Sequence, residues 1–174
     1  MLANNQLKGS IPTSLERATA LQTLVLSLNP LSGNFPALTG MSKLKTISLD
    51  YSLLDESIPD GWGDLRQLET VVLSNMPFSK GELPSSFRNL TNLKLLDLRN
   101  SKFDGTLPEV LGDMTSLEYF YASGASFTGS IPTTVGLLTN LGKCCLQPPD
   151  CRGIPGSNVR LCSSLKHLAC ISRL

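Results

Sequence analysis

The sequence predicts an α/β repeat solenoid, a curved coil in which every turn supplies one short strand and one short helical or 3-10 segment. Three observations predict it. Five segments align from their first leucine, at 21–43, 44–67, 68–92, 93–116 and 117–140, with lengths of 23, 24, 25, 24 and 24 residues. Each opens on L-x-x-L-x-L or a close variant and carries a further apolar residue five positions on. Each then reaches an Ile/Leu/Phe-Pro pair, usually after a glycine. A partial unit at 2–20 precedes them. No unit of this length buries its apolar side alone, so stacking has to make the core.

Each part of the unit has its own physical reason. Alternation in L-x-x-L-x-L turns Leu24/Leu26, Ile47/Leu49, Val71/Leu73 and Leu96/Leu98 to one face of a strand, and successive strands stack in parallel about 4.8 Å apart. Leu31, Leu54, Phe78, Phe103 and Phe127 then turn the chain under the core. Gly33, Gly105 and Gly129 fall where a bend needs positive φ. Pro12, Pro36, Pro59, Pro84, Pro108 and Pro132 lack an N–H and suit the first position of a helical turn. After most of them, residues three and six on are apolar: Leu15/Ala18, Trp62/Leu65, Phe87/Leu90, Leu111/Met114 and Val135/Leu138. These form the buried side of the back of the coil.

With these blocks read, "LQTLVLSLNPLSGNFP" at 21–36 and "FTGSIP" at 127–132 resemble the plant-specific class of leucine-rich repeat. That class occurs in receptor-like kinase and receptor-like protein ectodomains and in polygalacturonase-inhibiting proteins. The resemblance covers residues 2 to about 141. It implies a right-handed superhelix with a concave parallel sheet that binds proteins, peptides or small hormones. A cell-surface or extracellular recognition module, part of a receptor-type ectodomain with a protein or peptide ligand and a candidate co-receptor, is the first expectation. A secreted inhibitor or wall-associated protein is the second, and a cytoplasmic scaffold the third.

The chain departs from the family pattern at the position three after the last strand leucine. The family places Asn there, and its buried amide ties adjacent turns. Asn5 and Asn29 hold the position, Ser52 and Ser101 substitute in part, and Met76 and Ala125 cannot. Asn75 and Asn100 lie one residue early and could take over only if the turn shifts. A looser spine than the family norm is expected.

Repeats 2–140 are followed by 141–174, a degenerate unit and the opening of another. This region holds every cysteine, Cys144, Cys145, Cys151, Cys162 and Cys170. A disulfide-stapled cap and buried small apolar cysteines both fit, and an odd number leaves one thiol over. No C-x-x-C pair exists, so no metal site is expected. Met1 falls inside a repeat, which reads as a fragment of a longer protein.

Composition narrows the function further. With 41% hydrophobic residues, 17% charged residues and a net charge of +1, nothing attracts nucleic acid or an anionic membrane. No apolar run reaches the roughly 20 residues a membrane-spanning helix needs, and the first ten residues are not a signal peptide. The single histidine, His167, has no triad partners at a telling spacing, and there is no phosphate-binding loop or kinase block. The chain is read as non-enzymatic, without cofactor. Asn89-Leu90-Thr91 matches the N-glycan acceptor on the convex side.

The outward strand positions form columns: Thr23, Thr46, Thr70, Leu95, Tyr119; then Val25, Ser48, Val72, Asp97, Tyr121; then Ser27, Asp50, Ser74, Arg99, Ser123; then Leu28, Tyr51, Asn75, Asn100, Gly124. Their chemistry is richest in the later repeats. Tyr and Arg combine contact area with a polar tip. Contact is therefore expected to centre on Asp97, Arg99, Asn100, Tyr119 and Tyr121, with Asp50 and Tyr51 as a secondary point. The competing reading is that Asp97 and Arg99 merely satisfy each other and the tyrosines pack as neighbours.

Overall fold

The computed structural model describes residues 2–76, 81–103 and 105–145, with the side chain of Cys145 outside the described part. The strands in chain order are β1 (Thr23–Val25), β2 (Ser32–Gly33), β3 (Thr46–Ser48), β4 (Leu53–Leu54), β5 (Thr70–Val72), β6 (Leu95–Asp97), β7 (Tyr119–Tyr121) and β8 (Lys143–Cys145). Six of them form one parallel sheet, ordered β1-β3-β5-β6-β7-β8. The register pairs Thr23, Thr46, Thr70, Leu95 and Tyr119 across neighbouring strands, the first column of the sequence reading. Leu24, Ile47, Val71, Leu96 and Phe120 are buried beneath the sheet and join one continuous core. Among the turn residues Leu31, Leu54 and Phe103 are buried and Phe127 packs against the core, while Phe78 lies outside the described residues.

The other side of the coil is built from 3-10 segments: Thr13–Arg17, Asp60–Asp64, Ser85–Asn89, Glu109–Asp113 and Thr133–Leu137. The prolines do not occupy the first helical position, as their missing N–H suggested. Each is the residue before it, with extended backbone, and its carbonyl accepts the first backbone bond, as Pro59 does from the Trp62 N–H at 3.0 Å. Pro36 opens no such segment in its 23-residue repeat. There Leu38 turns the chain at φ 58°. The Pro36 carbonyl accepts instead the Trp62 indole N–H at 2.8 Å from the next turn. Ala18, expected on the buried side, is exposed.

A second strip of parallel pairing was not anticipated. β2 pairs with β4, and isolated bridges join Gly9 to Leu31 and Thr106 to Thr128. Gly33, Gly105 and Gly129 all have φ near +80° there (82°, 81° and 79°), as expected of the bend.

The spine is uneven. Asn29 is buried and donates to the Leu2, Leu26 and Ser27 carbonyls at 2.9, 2.8 and 3.1 Å, while its carbonyl oxygen accepts the Leu7 N–H at 3.2 Å. Ser101 donates to the Leu73 carbonyl at 2.6 Å. The Ser52 hydroxyl is buried without a hydrogen-bond partner among the described residues. Asn75 and Asn100 do not take over this role. Both sit at positive φ (54° and 52°), and Asn100 donates to the Asn75 side-chain oxygen at 2.9 Å across the turn edge.

Candidate ligand-recognition face

Strand alternation leaves the outward columns on one face of the six-stranded sheet, and three polar clusters occupy it. Along the edge where the strands begin, Glu69 lies between Lys45 at 3.5 Å and Lys94 at 2.8 Å. The hydrogen bond and charge of Lys94 hold the Glu69 carboxyl below the ordinary carboxylate range. The same pairing raises the Lys94 ammonium.

The second cluster joins four of the predicted contact residues. Asp97 keeps its place in the outward column but is only 4% exposed. Arg99, two residues beyond the end of β6, covers it. The guanidinium donates to Asp97 from Nε at 2.9 Å and Nη2 at 2.6 Å. Its Cζ also stands 5.0 Å from the Tyr121 ring centre, a cation–π contact. Tyr119 and Tyr121 lie 6.4 Å apart between ring centres. Asp97 thus serves as counter-ion to Arg99, while Arg99, Asn100 and Tyr119 present exposed surface.

The third cluster was only half legible. Ser27, Ser48 and Asp50 converge from two adjacent turns. The Ser48 hydroxyl donates to Asp50 Oδ1 at 2.8 Å, Ser27 bonds the same oxygen, and the two hydroxyls are 2.7 Å apart. The signal for the serines was their place beside Asp50 in the columns, where strand stacking brings side chains within reach.

At the far margin of the sheet, every described turn passes through positive φ: Asn4, Leu28, Tyr51, Asn75 and Asn100, with Gly124 closing the row. Asn and Gly tolerate this region, whereas bulky residues there are outliers. Leu28 and Tyr51 are nonetheless 46% and 53% exposed. Tyr51 borders a shallow hollow of about 360 Å³ with Asn75, Met76, Asn100 and Lys102.

The remaining sequence-marked residues lie elsewhere. Asn89 ends the convex 3-10 segment Ser85–Asn89 and is half-buried. Cys144 takes the inward position of β8 and packs against the core. Cys151, Cys162 and Cys170 lie outside the described residues, as does the side chain of Cys145. Among the described residues no cluster of side chains suits a metal ion, and no helix is long and apolar enough to cross a membrane.

Known proteins share this architecture. The family model described as Leucine Rich Repeat matches residues 92–114. A chain of the BIR3–SERK2 complex from Arabidopsis thaliana is 31% identical, with a TM-score of 0.64 over 76% of this chain and 70% of that one. The chain belongs to the leucine-rich repeat family. The Arabidopsis receptor kinase HAESA, solved with the peptide hormone IDA and the co-receptor SERK1, is 31% identical with a TM-score of 0.74, over 80% of this chain and 24% of that chain. Among curated relatives, the receptor-like protein kinase HAIKU2 of Arabidopsis thaliana is 33% identical over 60% of this chain. The leucine-rich repeats matched here cover only 11–12% of the first curated relatives' length.

Proposed function

We propose that this leucine-rich repeat chain is a non-catalytic recognition module that binds a peptide or protein ligand on its concave sheet. It acts in the extracellular part of a receptor-like protein and is open to a co-receptor at the side. The observation that carries this reading is the sheet face itself, an unbroken row of outward residues across six parallel strands. That face bears oriented aromatic and charged groups, on a scaffold shared with HAESA, whose structure holds a peptide hormone and a co-receptor. The Arg99–Tyr121–Tyr119 group supplies large contact area held in place before binding, which lowers the entropy lost on association.

A random peptide library displayed on phage and panned against the full chain tests the reading. Selected peptides should slow amide exchange at the sheet margin and lose affinity in the Tyr119→Ala/Tyr121→Ala double variant. Protection confined to the 3-10 side, or unchanged affinity in that variant, would refute this placement of the site. The same reading makes Asn89 a glycan acceptor on the side away from the ligand. Secreted expression should give a mass increment that Asn89→Gln removes, and its absence from the secreted wild type would overturn the assignment.

A further inference from the structure

We propose that Asp50, flanked by Leu28 and Tyr51, forms a subsite for a basic side chain, a lysine or arginine of the bound peptide. The proposal rests on the peptide-binding reading above and gives the ligand a chemistry. Charge is the first argument. Along the strand-start edge Glu69 is matched by Lys45 and Lys94, and Asp97 is matched by Arg99. Asp50 stands on the same face, and among the described residues no cation lies within ion-pair distance of it. Its Oδ1 accepts from both Ser27 and Ser48, which fixes the carboxylate, while Oδ2 accepts no hydrogen bond from the described residues. Two neutral hydroxyls orient the group without cancelling its charge. A guest cation would do so, at hydrogen bonds stronger than neutral ones.

Backbone strain is the second argument and is independent of the first. The Leu28 N–H bonds the Asp50 carbonyl at 2.9 Å, and the Tyr51 N–H bonds the Ser74 carbonyl at 3.1 Å. These ladder bonds hold both residues at φ near 57° (57° and 58°), where the equivalent residues are Asn4, Asn75, Asn100 and Gly124. Strain of this kind persists when the surroundings over-determine it, and an observed outlier is a reason to look for a function. Here it places an exposed aliphatic and an exposed aromatic residue at equivalent turn positions of two adjacent repeats, Leu28 bonded through its N–H to the Asp50 carbonyl and Tyr51 next to Asp50 in the chain. A lysine or arginine side chain has the matching build, an apolar stem for Leu28 and Tyr51 and a charged head for Asp50. The Tyr51 ring adds a cation–π face.

The test repeats the phage selection with the full chain and compares the wild type with Asp50→Asn, which keeps an acceptor for the two serines. Enriched peptides should carry a lysine or arginine at a fixed position. They should bind Asp50→Asn about tenfold more weakly or worse, and the wild type more weakly as salt rises. Tyr51→Asn supplies a second readout with opposite signs. It should raise the melting temperature by about 2–4 °C, by relieving the backbone, and weaken the same peptides. Peptides that bind and depend on Tyr119 and Tyr121, yet show no basic enrichment and tolerate Asp50→Asn, would overturn the subsite and leave the peptide-binding reading standing. No enriched peptide at all would count against both.

Discussion

Ser52 and Ser101 hold the same position in repeats two turns apart, and each is 1% exposed. The same substitution to alanine should nevertheless have opposite signs. Ser101 donates to the Leu73 carbonyl at 2.6 Å and accepts the Met76 N–H at 3.4 Å. Removing its hydroxyl strands both backbone groups in the core, at a cost of about 1–3 kcal/mol. Ser52 has no partner for its buried hydroxyl among the described residues. Alanine there relieves a desolvated polar group and should stabilise by about 1 kcal/mol. For a chain of this size 1 kcal/mol moves the midpoint by about 2–4 °C. Calorimetry should therefore show Ser52→Ala melting above the wild type and Ser101→Ala below it. Amide exchange adds a local check, because the Met76 amide should lose protection in Ser101→Ala and keep it in Ser52→Ala. A Ser52→Ala variant that melts lower than Ser101→Ala would refute the hydrogen-bond argument.

Three further perturbations probe the scaffold. Gly63→Ala would place its new carbon 2.5 Å from the Ser86 carbonyl oxygen and Cβ of the next turn, so thermal melting should show a loss of about 1–3 kcal/mol. Trp62→Phe removes the indole bond that serves the Pro36 carbonyl. It also alters the edge-on contact of the Trp62 ring with Phe35, 5.7 Å between centres, and urea unfolding should show a loss of about 1–3 kcal/mol. Glu69 should titrate below the ordinary carboxylate range by NMR and move back towards it in Lys94→Met, because Lys94 is the leading cause of its lowering. Since the folded value is depressed, the pair's contribution is present above the unfolded titration range and fades as pH falls through the folded one.

Much of this was legible in the chain. The inward leucines, the bend glycines and the order of the outward columns all follow from local spacing, and the strand register reproduces the first two columns residue for residue. Asp50 and Tyr51 were picked out, but their serine partners and Leu28 were not, since a serine or a leucine at the end of a strand has no chemical signature of its own. The spine was half read. Asn29 does what an asparagine there should do, whereas Asn75 and Asn100 stay in the edge turn because the backbone ladder keeps the same phase in every repeat.

By itself the sequence determined the period, the faces and the family of this leucine-rich repeat chain, because strand alternation and turn chemistry act between residues a few positions apart. Tertiary structure decided which outward groups stay available to a partner. Asp97 is consumed by Arg99 once the strand stands in a sheet, and Asp50 is oriented by a serine from the preceding turn. Leu28 and Tyr51 are driven into a conformation neither would choose, because the hydrogen bonds of the neighbouring turn outweigh the local preference of the side chain.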